Sequence, residues 1–253
     1  MPAPVALVTG ASRGIGRQLA MDLATEGYDV VCAARSTAAA PGKLPGTVEE
    51  TAQEVRARGR QALAVGLDVR DEVAVHALAD RVYEGWGRCD LLVNNAAVAV
   101  PGPALPDSSK RWRLAMDVNV NGPFYMMQAF CPRQQRGGRV INISSGASQT
   151  PEFGRPSYTV TKAALEALTG ALACELEGRI AVNCIRLDVA VWSEGFSLTL
   201  GEDHPFEFEH PVIMSDAVLW LAKQPLSFTG QTLDLTELRK KSVVRPLTPF
   251  RES

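Results

Sequence analysis

The sequence predicts a doubly wound α/β fold, and three observations carry that expectation. Short apolar runs alternate with amphipathic stretches along all 253 residues. The runs show no in/out alternation, so strands built from them are covered on both faces and lie parallel between helical layers. No shift in composition marks a boundary, so residues 1–253 read as a single domain. Right-handed βαβ crossovers then put helices on both faces of a sheet of about seven strands.

Val5–Val8 reads as the first strand, and Gly14–Glu26 as a helix with Ile15, Leu19, Leu23 and Ala24 near one face. A strand over Asp29–Ala33, a helix over Val48–Arg58, a strand over Ala62–Gly66 and a helix over Asp71–Trp86 follow. Leu91–Val93 is the fourth strand, Lys110–Phe130 a long helix, Gly138–Ile143 the fifth strand and Ser157–Leu176 a second long helix. A strand over Ile180–Ile185, a shorter helix near Ser215–Leu221 and a last strand near Gln231–Leu235 complete the order. Two stretches dense in proline and glycine, Ser36–Gly46 and Asp188–Val212, read as loops.

Bulk composition excludes several classes. With 26 basic and 28 acidic residues and no long run of one sign, the chain offers no nucleic-acid or membrane surface. Arg239, Lys240 and Lys241 form a short basic patch that reads as a solvated tail. Cys32, Cys89, Cys131, Cys174 and Cys184 form no C-x-x-C pair, and the three histidines have no metal spacing, so neither disulfides nor a metal is expected. With the first strand starting at Val5, no signal peptide is expected, and the cytoplasm is the expected compartment.

The run Thr9-Gly10-Ala11-Ser12-Arg13-Gly14-Ile15-Gly16 joins the first strand to the first helix. Glycines there let the backbone turn tightly and approach a pyrophosphate, which the N–H groups of a helix start can hold. NAD-specific sites usually carry an acid at the end of the second strand. Here that end reads Ala33-Ala34-Arg35-Ser36. Arg35, with Arg13 from the loop, can pair a 2′-phosphate through charge-assisted forks, which points to NADP(H).

Tyr158 and Lys162 lie four apart, on one face of the second long helix. A tyrosine of pKa about 10 falls by roughly one to three units beside an ammonium, enough to make it a proton donor or acceptor near neutral pH.

Together these motifs resemble the short-chain dehydrogenase/reductase family, a Rossmann-fold family, over about residues 5–185. The family's glycine loop matches Thr9–Gly16, its aspartate after the third strand matches Asp68 in Leu67-Asp68-Val69, and its Asn-Asn-Ala-Gly appears as Asn94-Asn95-Ala96-Ala97. Its catalytic asparagine, serine, tyrosine and lysine match Asn119, Ser145, Tyr158 and Lys162. The resemblance implies that Tyr158 is the general acid in reduction and the base in oxidation. Lys162 lowers its pKa and holds the nicotinamide ribose, Ser145 hydrogen-bonds the substrate oxygen, and Asn119 holds a water linking Lys162 to solvent. Asn121 and Ser144 are assigned structural hydrogen bonds. The cofactor contacts implied are Gly10, Ser12, Arg13, Gly14, Ile15, Gly16, Arg35, Asp68, Val69, Asn95, Ala96, Tyr158, Lys162 and Asp188. Lys43 is read as a solvated loop lysine.

The chain also departs from the family. Ala97 replaces a glycine, and Ile185-Arg186-Leu187-Asp188 lacks the usual Pro-Gly after the sixth strand, with Ser193 the candidate stand-in for the family's threonine. With the insert after Arg35, these features resemble the hydroxysteroid dehydrogenase-like subgroup. The loop 188–212 takes the place of the family's substrate lid and offers Trp192, Phe196, Leu198, Leu200, Phe206 and Phe208 to a small apolar carbonyl or alcohol, with Phe153 in the loop before Tyr158. The resemblance further implies a homodimer or homotetramer built on the two long helices. A cofactor-binding sensor or scaffold without turnover is the competing reading. Enoyl reduction is disfavoured by the Tyr–Lys spacing.

Overall fold

The computed structural model describes residues 2–102, 109–134, 137–151, 153–200 and 207–250, with backbone only over 198–200. Glycine-loop, strand and helix follow in the predicted order. β1 (Val5–Thr9), α1 (Gly14–Thr25), β2 (Asp29–Ala34), α2 (Val48–Ala57), β3 (Ala62–Gly66), α3 (Glu72–Trp86) and β4 (Leu91–Asn94) form the first half. The second half comprises α4 (Ser109–Met116), α5 (Gly122–Phe130), β5 (Gly138–Ser145), α6 (Pro156–Glu175), β6 (Ile180–Leu187), α7 (Glu194–Leu200), α8 (Val212–Ala222), β7 (Thr232–Asp234) and α9 (Leu235–Lys240).

The seven strands form one parallel sheet in the order β3-β2-β1-β4-β5-β6-β7. The order reverses between β1 and β4, and in such sheets the crevice beyond the strand ends at that point receives ligands. All five residues of β1 are buried. Ala6 and Val8 join the apolar layer with α1, α2, α8 and α9, while Val5 and Leu7 join the layer with α3 and α5. Two-sided burial explains why this strand reads as an unbroken apolar run.

Local signals set the helix ends. Thr47 and Glu50 form a reciprocal capping box at the start of α2. Asp71 caps α3 through the Ala74 N–H at 3.0 Å, and Gly87 ends it with a left-handed φ of 70°. By contrast, α1 starts at Arg13 with no side-chain cap and no acid in its first turn.

The long helix expected over Lys110–Phe130 is divided. Residues Asp117–Asn121 form a π-helical stretch between α4 and α5. Its cause is Pro123, which has no N–H for the Asn119 carbonyl and whose ring presses against it. The Gly122 N–H reaches back to the Asp117 carbonyl instead.

A second difference lies at the C-terminal end. The basic patch read as a solvated tail belongs to α9, where Leu235 and Leu238 are buried. Arg239 is ion-paired with the buried Glu209, so only Lys240 and Lys241 keep the solvated character. Among the described residues, no helix is long and apolar enough to cross a membrane.

Candidate active site

The glycine loop is tight because its neighbours leave no room for side chains. A Cβ on Gly10 (φ +68°) would stand 2.9 Å from Asn95 Nδ2, and one on Gly16 would stand 2.2 Å from the Gly10 carbonyl oxygen. Asn95 Nδ2 donates to the Thr9 carbonyl at 2.8 Å, while Thr9 Oγ1 accepts the backbone N–H groups of Asn95 and Ala96, each at 3.0 Å. The loop is thereby fastened to the end of β4. Ser12 is buried and Ile15 packs against the core, so the uncapped N–H groups of α1 face the crevice end of β1.

At the end of β2, Arg13 Nη2 donates to Ser36 Oγ at 2.6 Å and to the Gly46 carbonyl at 3.2 Å. Its buried Nε has no partner among the described residues. The insert after β2 closes on this guanidinium: a Cβ on Gly42 would stand 2.6 Å from Ser36 Oγ. Arg35 is exposed beside it, and Lys43 is exposed in the insert. Asp68 is held by Arg70 in a fork with contacts of 2.6–3.1 Å. The Arg70 hydrogen bonds keep its carboxyl below the usual carboxylate range. Val69 packs where a Cβ on Gly122 would fall, 2.7 Å from Val69 Cγ2.

The predicted quartet divides into well-anchored and more open members. Lys162 is 3% exposed, and its Nζ donates to the Ile143 carbonyl at 2.7 Å. It lies 5.6 Å from the centroid of the Tyr158 ring. Burial lowers its pKa to about 8, opposed by Cys184 and Glu166. Ser145 ends β5, and its Oγ accepts the Ala147 N–H at 3.3 Å, so it caps the 3₁₀ turn Gly146–Ser148. Asn119 Oδ1 accepts the Val98 N–H at 2.8 Å, and its Nδ2 donates to the Val98 carbonyl at 2.9 Å and to Thr161 Oγ1 at 3.0 Å. Its side chain is fully used in binding the π-helical stretch to α6 and to the segment after β4.

Asn121 Nδ2 donates to Asp117 Oδ1 at 3.0 Å, and Ser144 Oγ to Glu166 Oε1 at 2.6 Å. Asp188 is exposed, and its Oδ1 accepts the Thr236 N–H at the start of α9. Ala97 is exposed, so its methyl group meets solvent at the crevice.

Sequence reasoning missed one cluster. Arg186, the one charged residue of β6, donates to Glu166 Oε1 and Oε2 at 3.0 and 2.7 Å and to Asp234 at 2.9 Å. The signal was present: a charged residue in a strand covered on both faces needs a buried partner.

The loop 188–212 carries α7 and is fixed at its base by the bridge between Val191 and Glu209. Trp192 stacks on Phe250 at 4.1 Å, and Phe196 meets Phe208 edge-on. The Arg155 guanidinium lies over the Phe196 ring and so links the loop to the start of α6. Ser193 and Glu194 lie against the glycine loop, 2.8 and 3.2 Å from where a Cβ on Gly14 would stand. Phe153 is 97% exposed. The side chains of Leu198 and Leu200, and Phe206 itself, lie outside the described residues.

The chain is similar to known proteins over most of its length. A family model of short chain dehydrogenases matches residues 4–190. Hydroxysteroid dehydrogenase-like protein 2 from Bos taurus is 33% identical over 227 residues, 88% of this chain and 54% of the relative. The chain thus spans about half the length of that relative. A short chain dehydrogenase from Mycobacterium paratuberculosis, solved bound to NAD, superposes with a TM-score of 0.81 at 30% identity over 91% of this chain and 95% of that one. A metagenomic short-chain oxidoreductase, solved with NADP, gives 0.75 at 30% identity over 91% and 96%. The chain belongs to the short-chain dehydrogenase family.

Proposed function

We propose that the chain is an NADP(H)-dependent carbonyl reductase or alcohol dehydrogenase acting on a small apolar substrate. The observation that carries this reading is the buried Lys162 ammonium, fixed on β5 beside the Tyr158 ring, with Ser145 at the end of the same strand. A cation at that distance favours the phenolate and so prepares Tyr158 to exchange a proton near neutral pH.

The dinucleotide fits the residues present. Gly10, Gly14 and Gly16 keep the loop free of side chains, and the uncapped start of α1 offers N–H groups to a pyrophosphate. Ser12, Ile15, Asn95 and Ala96 frame that loop, Asp68 and Val69 receive the adenine, and Arg13 and Arg35 take the 2′-phosphate. The partnerless Nε of Arg13 supports an anion there. When bound, the cofactor supplies or accepts the hydride. Tyr158 gives or takes the proton at the substrate oxygen, Ser145 donates a hydrogen bond to that oxygen, and Lys162 holds the ribose. Asp188, its carboxylate turned to α9, would offer backbone. The Asn119 side chain is committed, so its carbonyl, which Pro123 cannot satisfy, would hold the relay water.

On this reading the chain works as one domain, with 188–212 as the lid over an apolar pocket. The exposed Ala163, Ala167 and Ala171 of α6, with the exposed Phe124 of α5, would pack in a homodimer or homotetramer in the cytoplasm.

A second reading, a protein without turnover, draws on Glu194. One of its carboxylate oxygens is buried without a partner among the described residues, beside Gly14 where a phosphate would approach. Oxidation of NADPH across a panel of apolar ketones and aldehydes separates the two. Turnover lowered about 10²–10⁴-fold by Tyr158→Phe is expected; no turnover with any of the panel favours the silent protein.

A further inference from the structure

Glu166 stands one turn beyond Lys162 on α6, and its carboxylate gathers four donors. Oε1 accepts Ser144 Oγ at 2.6 Å, Ser148 Oγ at 2.6 Å and Arg186 Nε at 3.0 Å, and Oε2 accepts Arg186 Nη2 at 2.7 Å. Ser144 and Ser148 bracket Ser145 and the turn that it caps. The strand end that presents Ser145 is therefore tied on both flanks to the helix that carries Tyr158 and Lys162. Charge-assisted bonds of this kind are short and directional.

We propose that Glu166 is a positioning residue of the site: its carboxylate sets the turn bearing Ser145 against the Tyr158–Lys162 face of α6 and places an anion behind the Lys162 ammonium. This rests on the oxidoreductase reading above. A purely structural ion pair accounts for less of the geometry. Arg186 keeps Asp234 as a second anion at 2.9 Å, and the two serine hydroxyls add nothing to its neutralisation. What they fix is the turn. Besides the Ile143 carbonyl that its Nζ bonds, the side chains placed to act on the Lys162 charge are Glu166, Cys184 on β6 and the Tyr158 ring. Burial pushes the Cys184 thiol up to about 12, which keeps it neutral near pH 7 and leaves Glu166 as the anion.

The test uses two variants of the full chain. Ser144→Ala/Ser148→Ala cuts the ties to the turn, with the long Ser144 contact to the Lys162 carbonyl at 3.4 Å, and leaves the Glu166–Arg186–Asp234 pairs in place. It should lower kcat at least tenfold, with NADPH affinity within twofold of wild type and a Tm that falls but stays above the assay temperature. Amide exchange over residues 144–149, read by mass spectrometry, should quicken by at least tenfold while β1 to β4 are unaffected. Glu166→Gln should in addition move the Lys162 titration, followed by ¹⁵Nζ NMR, to lower pH, because removing an anion makes the ammonium easier to deprotonate. The alkaline limb of the reduction rate should move the same way. If the double-serine variant keeps both kcat and exchange within twofold of wild type, or if the Lys162 titration does not move in Glu166→Gln, the proposal fails. Exchange and NMR need no substrate. A wild-type protein without turnover therefore refutes the enzymatic reading alone, while these two measurements still decide what Glu166 does.

Discussion

At the scale of the residue, the account turns on a buried lysine whose burial is costly. The Lys162 pKa falls from the ordinary 10.5 to about 8 because desolvation disfavours its charge. Below about pH 8 both folded and unfolded chains bind the proton, so the folded state bears the full cost. As pH rises towards 10.5 only the unfolded chain retains the proton, and folding becomes more favourable. Lys162→Met should therefore raise stability at pH 7, by up to about 3 kcal/mol from the size of the shift, less the lost bond to Ile143. Urea melts at pH 7 and pH 10 check this: the gain should shrink at the higher pH, and a constant gain would point to packing instead. The same variant should have no measurable turnover. Tyr158→Phe should lower turnover about 10²–10⁴-fold, the range for a positioned acid or base, with NADPH affinity within a few-fold of wild type.

At the scale of the element, the π-helical stretch is the feature that sequence periodicity cannot display. Apolar spacing over 110–130 fits a continuous helix, and only Pro123 hints at the interruption. The side chain of Asn119 then makes three bonds to two residues far off in sequence, Val98 and Thr161. Asn119→Ala would leave the Val98 amide and carbonyl unpaired, at a cost of about 2 kcal/mol or more, measurable as a lower urea midpoint at unchanged slope. Strands and most helices were legible because two-sided burial and capping residues write themselves into the local sequence, as in β1 and at Thr47–Glu50. The glycine loop and the Tyr158–Lys162 pair were legible for the same reason: each is a local spacing. The Glu166–Arg186–Asp234 cluster was not, since it joins α6, β6 and β7 across separations of 20 and 48 residues. The short α9 was missed because its two buried leucines are too few to show a period.

For the whole molecule, the sheet order brings the ends of β1, β4 and β5 together, and so collects the glycine loop, Asn95 and Ser145 on one edge. The Arg186 cluster locks β6 and β7 to α6 behind that edge. Arg186→Leu would leave two carboxylates without their cation, a loss of about 3–5 kcal/mol for a buried pair. It should appear as a large drop in Tm; a change within a degree would mean that water already screens the cluster. The exposed α6 face should pair with a second copy, and a monomeric mass by light scattering at micromolar concentration would contradict that.

The central claim, that this crevice is built for NADP(H), is tested most directly by titrating the protein with NADPH and with NADH by fluorescence, beside Arg13→Ala and Arg35→Ala. NADPH is expected to bind at least tenfold more tightly, about 1.4 kcal/mol, and the arginine variants to lose that preference while still binding NADH. Equal affinities, or tighter NADH binding, would contradict the role given to the two arginines, and binding of neither cofactor would leave Glu194 as the anion of the glycine loop and the chain without its chemistry.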